Sequence, residues 1–157
     1  MKICVCSDSH GNTVHLMKIL SDEKPDLLLF LGDGLRDLDG VAFPDGCIVY
    51  RVRGNCDFIA NEPELRLLTV KNFRILMVHG HKQGVKSDLL RLGLLAAQQK
   101  ADIVVYGHTH IPAAQREGER LYLCPGSVGG AAGAYLILTI ADGGVRYEQR
   151  SAGQERQ

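Results

Sequence analysis

Apolar runs recur along this chain, and most of them break off into a short polar stretch that contains a glycine. Lys2 to Cys6 is the first, followed by Ser7-Asp8-Ser9-His10-Gly11-Asn12. Leu27 to Leu31 ends in Gly32-Asp33-Gly34, and Ile48 to Val52 ends in Arg53-Gly54-Asn55-Cys56-Asp57. Continuous apolar runs of this length read as strands buried on both faces, the kind found in parallel sheets. Thr13 to Leu20 carries Val14, Met17 and Leu20 at helical spacing, which predicts a helix burying that face. Asn12 stands where an N-cap belongs. A short polar helix over Arg36 to Gly40 is expected before the third strand. Three β–loop–α units in a row predict crossover connections and α/β architecture.

The second half changes character. Glu64 to Val70 and Phe73 to Val78 read as strands joined tightly at Lys71-Asn72, and the second arm runs into His79-Gly80-His81. A helix is expected over Ser87 to Lys100, with Leu89, Leu90, Leu92, Leu94 and Leu95 as its apolar stripe. Asp102 to Tyr106 is the next strand and ends in Gly107-His108-Thr109-His110. A hairpin around Gly118, a turn at Gly126-Ser127 and strands over Tyr135 to Ile140 and Val145 to Gln149 complete the chain. Parallel units first and hairpins later predict two mixed β-sheets packed as a sandwich and flanked by helices.

The 157 residues, 45% hydrophobic and 23% charged, suit one globular domain over 1–150 with a polar, frayed tail over 151–157. Eighteen basic and eighteen acidic residues balance to zero. That gives no support to nucleic acid or an anionic membrane as the main partner, since both favour basic stripes. No apolar run approaches the roughly 20 residues that span a bilayer. The first strand leads straight into polar Ser7-Asp8 with nothing resembling a leader, so the expected location is cytoplasmic. The five cysteines are odd in number and form no C-x-x-C pair, which indicates neither a disulfide framework nor a zinc finger. Cys4 and Cys6 share a strand face and are read as small buried hydrophobes.

Five strand-end loops carry the polar chemistry: Asp8 and His10; Asp33; Asn55; His79 and His81; His108 and His110. Five of the six histidines fall in these loops, and the sixth, His15, is read as a surface residue. The C-terminal ends of strands are where open α/β sheets place their sites. Carboxylate, imidazole and amide oxygen without an obligatory thiolate suit divalent manganese, iron, zinc, cobalt or nickel. Seven or eight such donors are too many for one ion, but two ions about 3.5–4 Å apart with a bridging carboxylate would use them. Two divalent ions, two aspartates and a hydroxide leave one net positive charge, which suits an anionic phosphate ester.

Asp8-x-His10, Gly32-Asp33, Gly54-Asn55, His79 and Gly107-His108-x-His110, in that order, resemble the calcineurin-like dinuclear metallophosphoesterase superfamily. The short chain and the Gly-Asn-Cys-Asp form of the third motif resemble its small single-domain prokaryotic phosphodiesterase branch, the YfcE type. The resemblance implies the four-layer α/β/β/α fold. It implies one ion held by Asp8, His10 and His110, a second held by Asn55, His79 and His108, and Asp33 bridging the two. Manganese heads the candidates, ahead of zinc, iron, nickel and cobalt. The implied reaction is hydrolysis of a small phosphoester, a diester first, by in-line attack of a hydroxide bridging the two metals. Phosphomonoesterase activity is the nearest alternative, and a non-catalytic scaffold like the retromer subunit of this superfamily is the other. A homo-oligomer is compatible with the sequence.

One position departs from the wider superfamily. Where many members have a histidine after Gly-Asn, read as the leaving group's proton donor, this chain has Cys56, whose thiol is a poor donor candidate and is expected instead to be a packed residue. His81 is a second donor candidate, a second-layer partner, or a ligand through its carbonyl. Asn55 combines a metal-binding oxygen with an NH₂ able to donate to substrate. Asp57 is expected to hold a ligand histidine or to cap a turn. Arg36 and Arg53 are expected to be solvated.

Overall fold

Both sides of the first strand are apolar, so it must lie between two layers. Ile3 and Val5 face one core while Cys4 and Cys6 face another, as alternation along a strand requires. The computed structural model describes residues 1–154 and places β1 (Lys2–Cys6), α1 (Thr13–Glu23), β2 (Leu27–Phe30), β3 (Ile48–Arg51), β4 (Leu65–Val70) and β5 (Phe73–Val78) in the first half. There follow α2 (Leu90–Gln98), β6 (Ile103–Tyr106), β7 (Ala113–Glu117), β8 (Arg120–Cys124), β9 (Ala134–Ala141) and β10 (Gly144–Ser151). One sheet has the order β10-β9-β1-β2-β3 and the other β4-β5-β6-β8-β7. Within each, the central strands pair in parallel and the hairpins add antiparallel edges.

The inner faces of the two sheets meet in one core, where Ile3, Val5 and Leu29 pack with Ile75, Met77, Val105 and Leu138. α1 covers the outer face of the first sheet and α2 that of the second. This is the expected sandwich flanked by helices. Among the described residues no helix is long and apolar enough to cross a membrane.

Three expectations change. α1 buries Leu16, Ile19, Leu20 and Glu23, while Val14 is 67% exposed and Met17 45%. The true stripe includes a glutamate, and its burial is supported by Tyr135 Oη at 2.6 Å, Arg150 Nη1 at 2.8 Å and Lys2 Nζ at 2.7 Å. α2 starts at Leu90 rather than Ser87, after turns over 81–87. It buries Leu92 and Ala96 and leaves Leu90 and Leu94 exposed. The tail expected from Ser151 begins instead as strand: Ser151 closes β10, and buried Ala152 donates its N–H to Gly133 O. Residues 155–157 of that tail lie outside the described residues.

Candidate metal centre

Parallel pairing of β1, β2 and β3 puts the loops carrying Asp8, Asp33 and Asn55 at one edge of the first sheet. Parallel pairing of β5 and β6 puts His79 and His108 together at one edge of the second. The two edges are stitched across the sandwich, since His108 N–H donates to Asp8 Oδ2 at 3.0 Å and His79 Nδ1 lies 2.7 Å from Leu31 O.

The loops are strained where the donors sit. Eight non-glycine residues have left-handed backbone among the described ones, and five of them are Asp8, His10, Asp33, His108 and His110. Such a conformation costs about 1–2 kcal/mol per residue, so neighbouring bonds must hold it. Ser127 Oγ and Gly129 N–H both donate to Asp8 O, and His10 N–H donates to Asp33 O. Asp57 does the same for the second loop: its carboxylate accepts from the backbone N–H groups of Asp33, Gly34, Leu35 and Gly54 at 2.7–3.0 Å. Its partners are therefore backbone amides, not a ligand histidine. Gly54 has no room for a side chain, because a Cβ there would overlap Asp33 Oδ1.

Ring nitrogens and carboxylates converge in the space these loops enclose. Asp8 Oδ1 lies 3.0 Å from His110 Nε2, 3.5 Å from His10 Nε2 and 3.9 Å from His79 Nε2. Asp33 Oδ2 lies 3.3 Å from His79 Nε2 and 3.9 Å from His10 Nε2. His10 Nε2 and His110 Nε2 are 3.2 Å apart. The donor atoms of Asp8, His10 and His110 all lie within 4.8 Å of one another, and so do those of Asp33, His79 and His108. Asn55 is exposed at the rim, with its NH₂ 3.5 Å from Cys56 Sγ. Its Oδ1 makes no hydrogen bond among the described residues, so it is open to a cation.

His79 supplies the strongest sign of what belongs here. Its Nδ1 proton goes to Leu31 O, which fixes the tautomer and leaves the lone pair on Nε2. That Nε2 is buried, has no hydrogen-bond partner, and sits between two carboxylates. A lone pair aimed at anions is repulsive unless a cation lies between them, so the donors present fit divalent ions. The two aspartates already shift the imidazole: burial pushes the His79 pKa down, but Asp33 and Asp8 outweigh it and hold it above the ordinary value. Burial likewise opposes ionisation of Asp33, yet the imidazole of His79 nearby and the Cys56 N–H that it accepts hold its carboxyl well below the usual range.

The remaining candidates divide. His81 stands beside the cluster, its ring centroid 5.4 Å from that of His79 and 6.1 Å from that of His108. Burial and the His79 charge push its pKa down. Cys56 is exposed rather than packed, and burial of its sulfur and the Asp33 charge raise its pKa. Arg36 is exposed, as expected, whereas Arg53 is not simply solvated but paired with Glu64 at 2.9 Å. His15 is not a surface residue: its Nδ1 reaches Val128 O at 2.8 Å and ties α1 to the loop that holds Asp8. Asn12 does cap α1, its Oδ1 accepting from His15 N–H. Asp57 and His15 were legible only as polar residues near a motif, because their partners are main-chain groups far along the chain.

Comparison with known proteins follows the same lines. Residues 1–143 match the calcineurin-like phosphoesterase superfamily domain. The chain is 32% identical over 130 residues to the probable metallophosphoesterase YsnB of Bacillus subtilis, covering 82% of this chain and 75% of that one. It is 31% identical over 168 residues to the phosphodiesterase YfcE of Escherichia coli K12, covering 88% and 87%. A solved structure from Streptococcus pneumoniae TIGR4, described as a conserved uncharacterized protein and predicted phosphoesterase, superposes with a TM-score of 0.82 at 29% identity, covering 98% and 91%. Vps29 of Entamoeba histolytica complexed with zinc is similar in fold alone, with a TM-score of 0.74 at 23% identity over 98% of this chain and 100% of that one.

Proposed function

The chain belongs to the calcineurin-like phosphoesterase superfamily, and from that premise we propose that it is a metal-dependent phosphodiesterase acting on a small phosphoester, with residues 1–150 as one catalytic domain. The orphaned Nε2 of His79 between Asp8 and Asp33 carries this reading. Asp8, His10 and His110 would hold one divalent ion and Asn55, His79 and His108 the other, with Asp33 serving both. The donors, carboxylate, imidazole and amide oxygen, suit manganese, iron, zinc, cobalt or nickel, and the family resemblance makes manganese the first candidate. Ions bound there supply a lowered pKa for water and positive charge to offset the charge that develops on phosphorus oxygens.

The chain's own groups do the rest. Asp33 stays ionised across the working pH range and keeps a negative charge beside His79 and His10. The NH₂ of Asn55 donates to a phosphoryl oxygen. Loops held by Asp57 and Ser127 keep these groups preorganised, which is where electrostatic catalysis draws its energy. The leaving oxygen is poorly served by comparison. His81 has its pKa pushed down, and Cys56 carries a thiol raised above an already weak acid's value. Without a good proton donor, the rate must follow leaving-group acidity.

With manganese supplied, an aryl phosphodiester is therefore expected to be cleaved at least about a hundredfold faster than an alkyl one of equal size. Equal rates would mean that an efficient general acid is present. Inactivity on diesters and monoesters alike, with both ions bound, would sink the enzyme reading in favour of a scaffold. Greater activity on monoesters would move the assignment to phosphomonoesterase.

A further inference from the structure

A cleft of about 520 Å³ adjoins the donor sets, with His10, Asp33 and Cys56 on its inner side. The turn that follows Asn55 forms another part of its wall. There Phe58 is 86% exposed and Ile59 81%, the two most exposed large apolar side chains among the described residues. Anchoring the turn does not require them, because Ala60 packs against the core beneath α1 and Asp57 fixes the turn's start. Two large apolar groups held in water beside a reaction centre forgo the free energy that burial would supply.

The charged lining divides into engaged and free groups. Asp57 is occupied by four backbone amides, and Asp37 accepts from Ser9 Oγ and Gly11 N–H. Glu62 is paired with Arg66. Arg36, Arg51 and Asp39 also line the cleft, and none of their side chains makes a hydrogen bond or ion pair among the described residues. A guanidinium with no carboxylate to hold keeps its flat face free to stack on an aromatic ring.

We propose that this cleft is the subsite for the organic group of the substrate and that it selects a flat aromatic ring, with Phe58 as the principal contact. The inference rests on the phosphoesterase reading above and deepens it. Phosphoryl oxygens anchor at the donor sets, and the ring extends from there past Cys56 onto Phe58, with Ile59 and Leu35 adding apolar surface. Phe58 sets specificity; no proton passes through it.

The test is equilibrium binding, measured by calorimetry on protein loaded with manganese, of phenylphosphonate and methylphosphonate. Both carry the same anchor and differ only in the ring. Wild type is expected to hold phenylphosphonate at least about tenfold more tightly, the ratio that roughly 1.4 kcal/mol gives. Phe58→Ala is expected to bring that ratio near one, and Phe58→Trp to restore it. A ratio near one in wild type, or a ratio that survives Phe58→Ala, overturns the subsite. If the protein cleaves an aryl phosphodiester yet shows no ring preference, the subsite alone is wrong. If it neither cleaves the diester nor binds either phosphonate, the phosphoesterase reading itself fails.

Discussion

Asp33→Asn is expected to cut hydrolysis of an aryl phosphodiester at least about a thousandfold, a loss of about 4 kcal/mol of transition-state stabilisation. Asp33 is the carboxylate proposed to serve both halves of the cluster, and its Oδ2 lies 3.3 Å from His79 Nε2 and 3.9 Å from His10 Nε2. Its other oxygen accepts the Cys56 N–H at 2.8 Å. Asparagine keeps the shape but removes one negative charge, and it turns one oxygen into an NH₂ that cannot ligate a cation. The substitution hardly changes volume, so the variant should fold, and thermal unfolding of both proteins checks that. A variant retaining more than a tenth of wild-type kcat/KM would contradict the shared position. Equal inactivity of wild type and variant across several esters would favour the scaffold reading.

The second large effect is on stability and comes from a residue outside the ligand set. Asp57→Ala should destabilise the metal-free protein by roughly 3 kcal/mol, because four backbone N–H groups lose their acceptor. For a chain of this size that corresponds to a fall in melting temperature of roughly 10 °C. Asparagine at the same position keeps one acceptor oxygen and should fall between alanine and wild type. Activity should drop with stability, since three of the four amides belong to the turn that presents Asp33 in its left-handed conformation. An unchanged melting temperature in Asp57→Ala would show that solvent satisfies those amides as well as the carboxylate does.

The fold was legible where burial is two-sided. β2 and β6 are unbroken apolar runs, and such runs become the central parallel strands. The donors were legible for a related reason: polar residues at the end of a buried strand have few structural uses, and glycines beside them admit close approach. The α1 face was misjudged because Val14, Met17 and Leu20 fit helical spacing as well as Leu16, Ile19 and Leu20 do, and Glu23, past the expected end of the helix, joins the buried face only through Tyr135, Arg150 and Lys2. Those partners come from distant parts of the chain, and periodicity carries no information about them. Cys56 and His15 were misjudged in opposite senses. A cysteine is expected inside, but this one sits on an exposed turn whose backbone, not its sulfur, binds Asp33. A histidine near a helix start is expected outside, but this one takes a carbonyl 113 residues away. Asp57 shows the same limit, since a carboxylate that serves four amides looks in sequence like any turn residue.

His108 and His110 flank Thr109 and point into different donor groups, His108 toward Asp33 and His79, His110 toward Asp8 and His10. We propose that the pair is a fork between two ions rather than a single chelate. The most direct test is to count metal ions per chain after equilibrium dialysis against manganese in wild type, His108→Ala and His110→Ala. Two ions are expected in wild type and about one in each variant, with the remaining ion in opposite halves of the site. One ion in wild type, or both sites emptied equally by either substitution, would contradict a dinuclear centre divided by that fork.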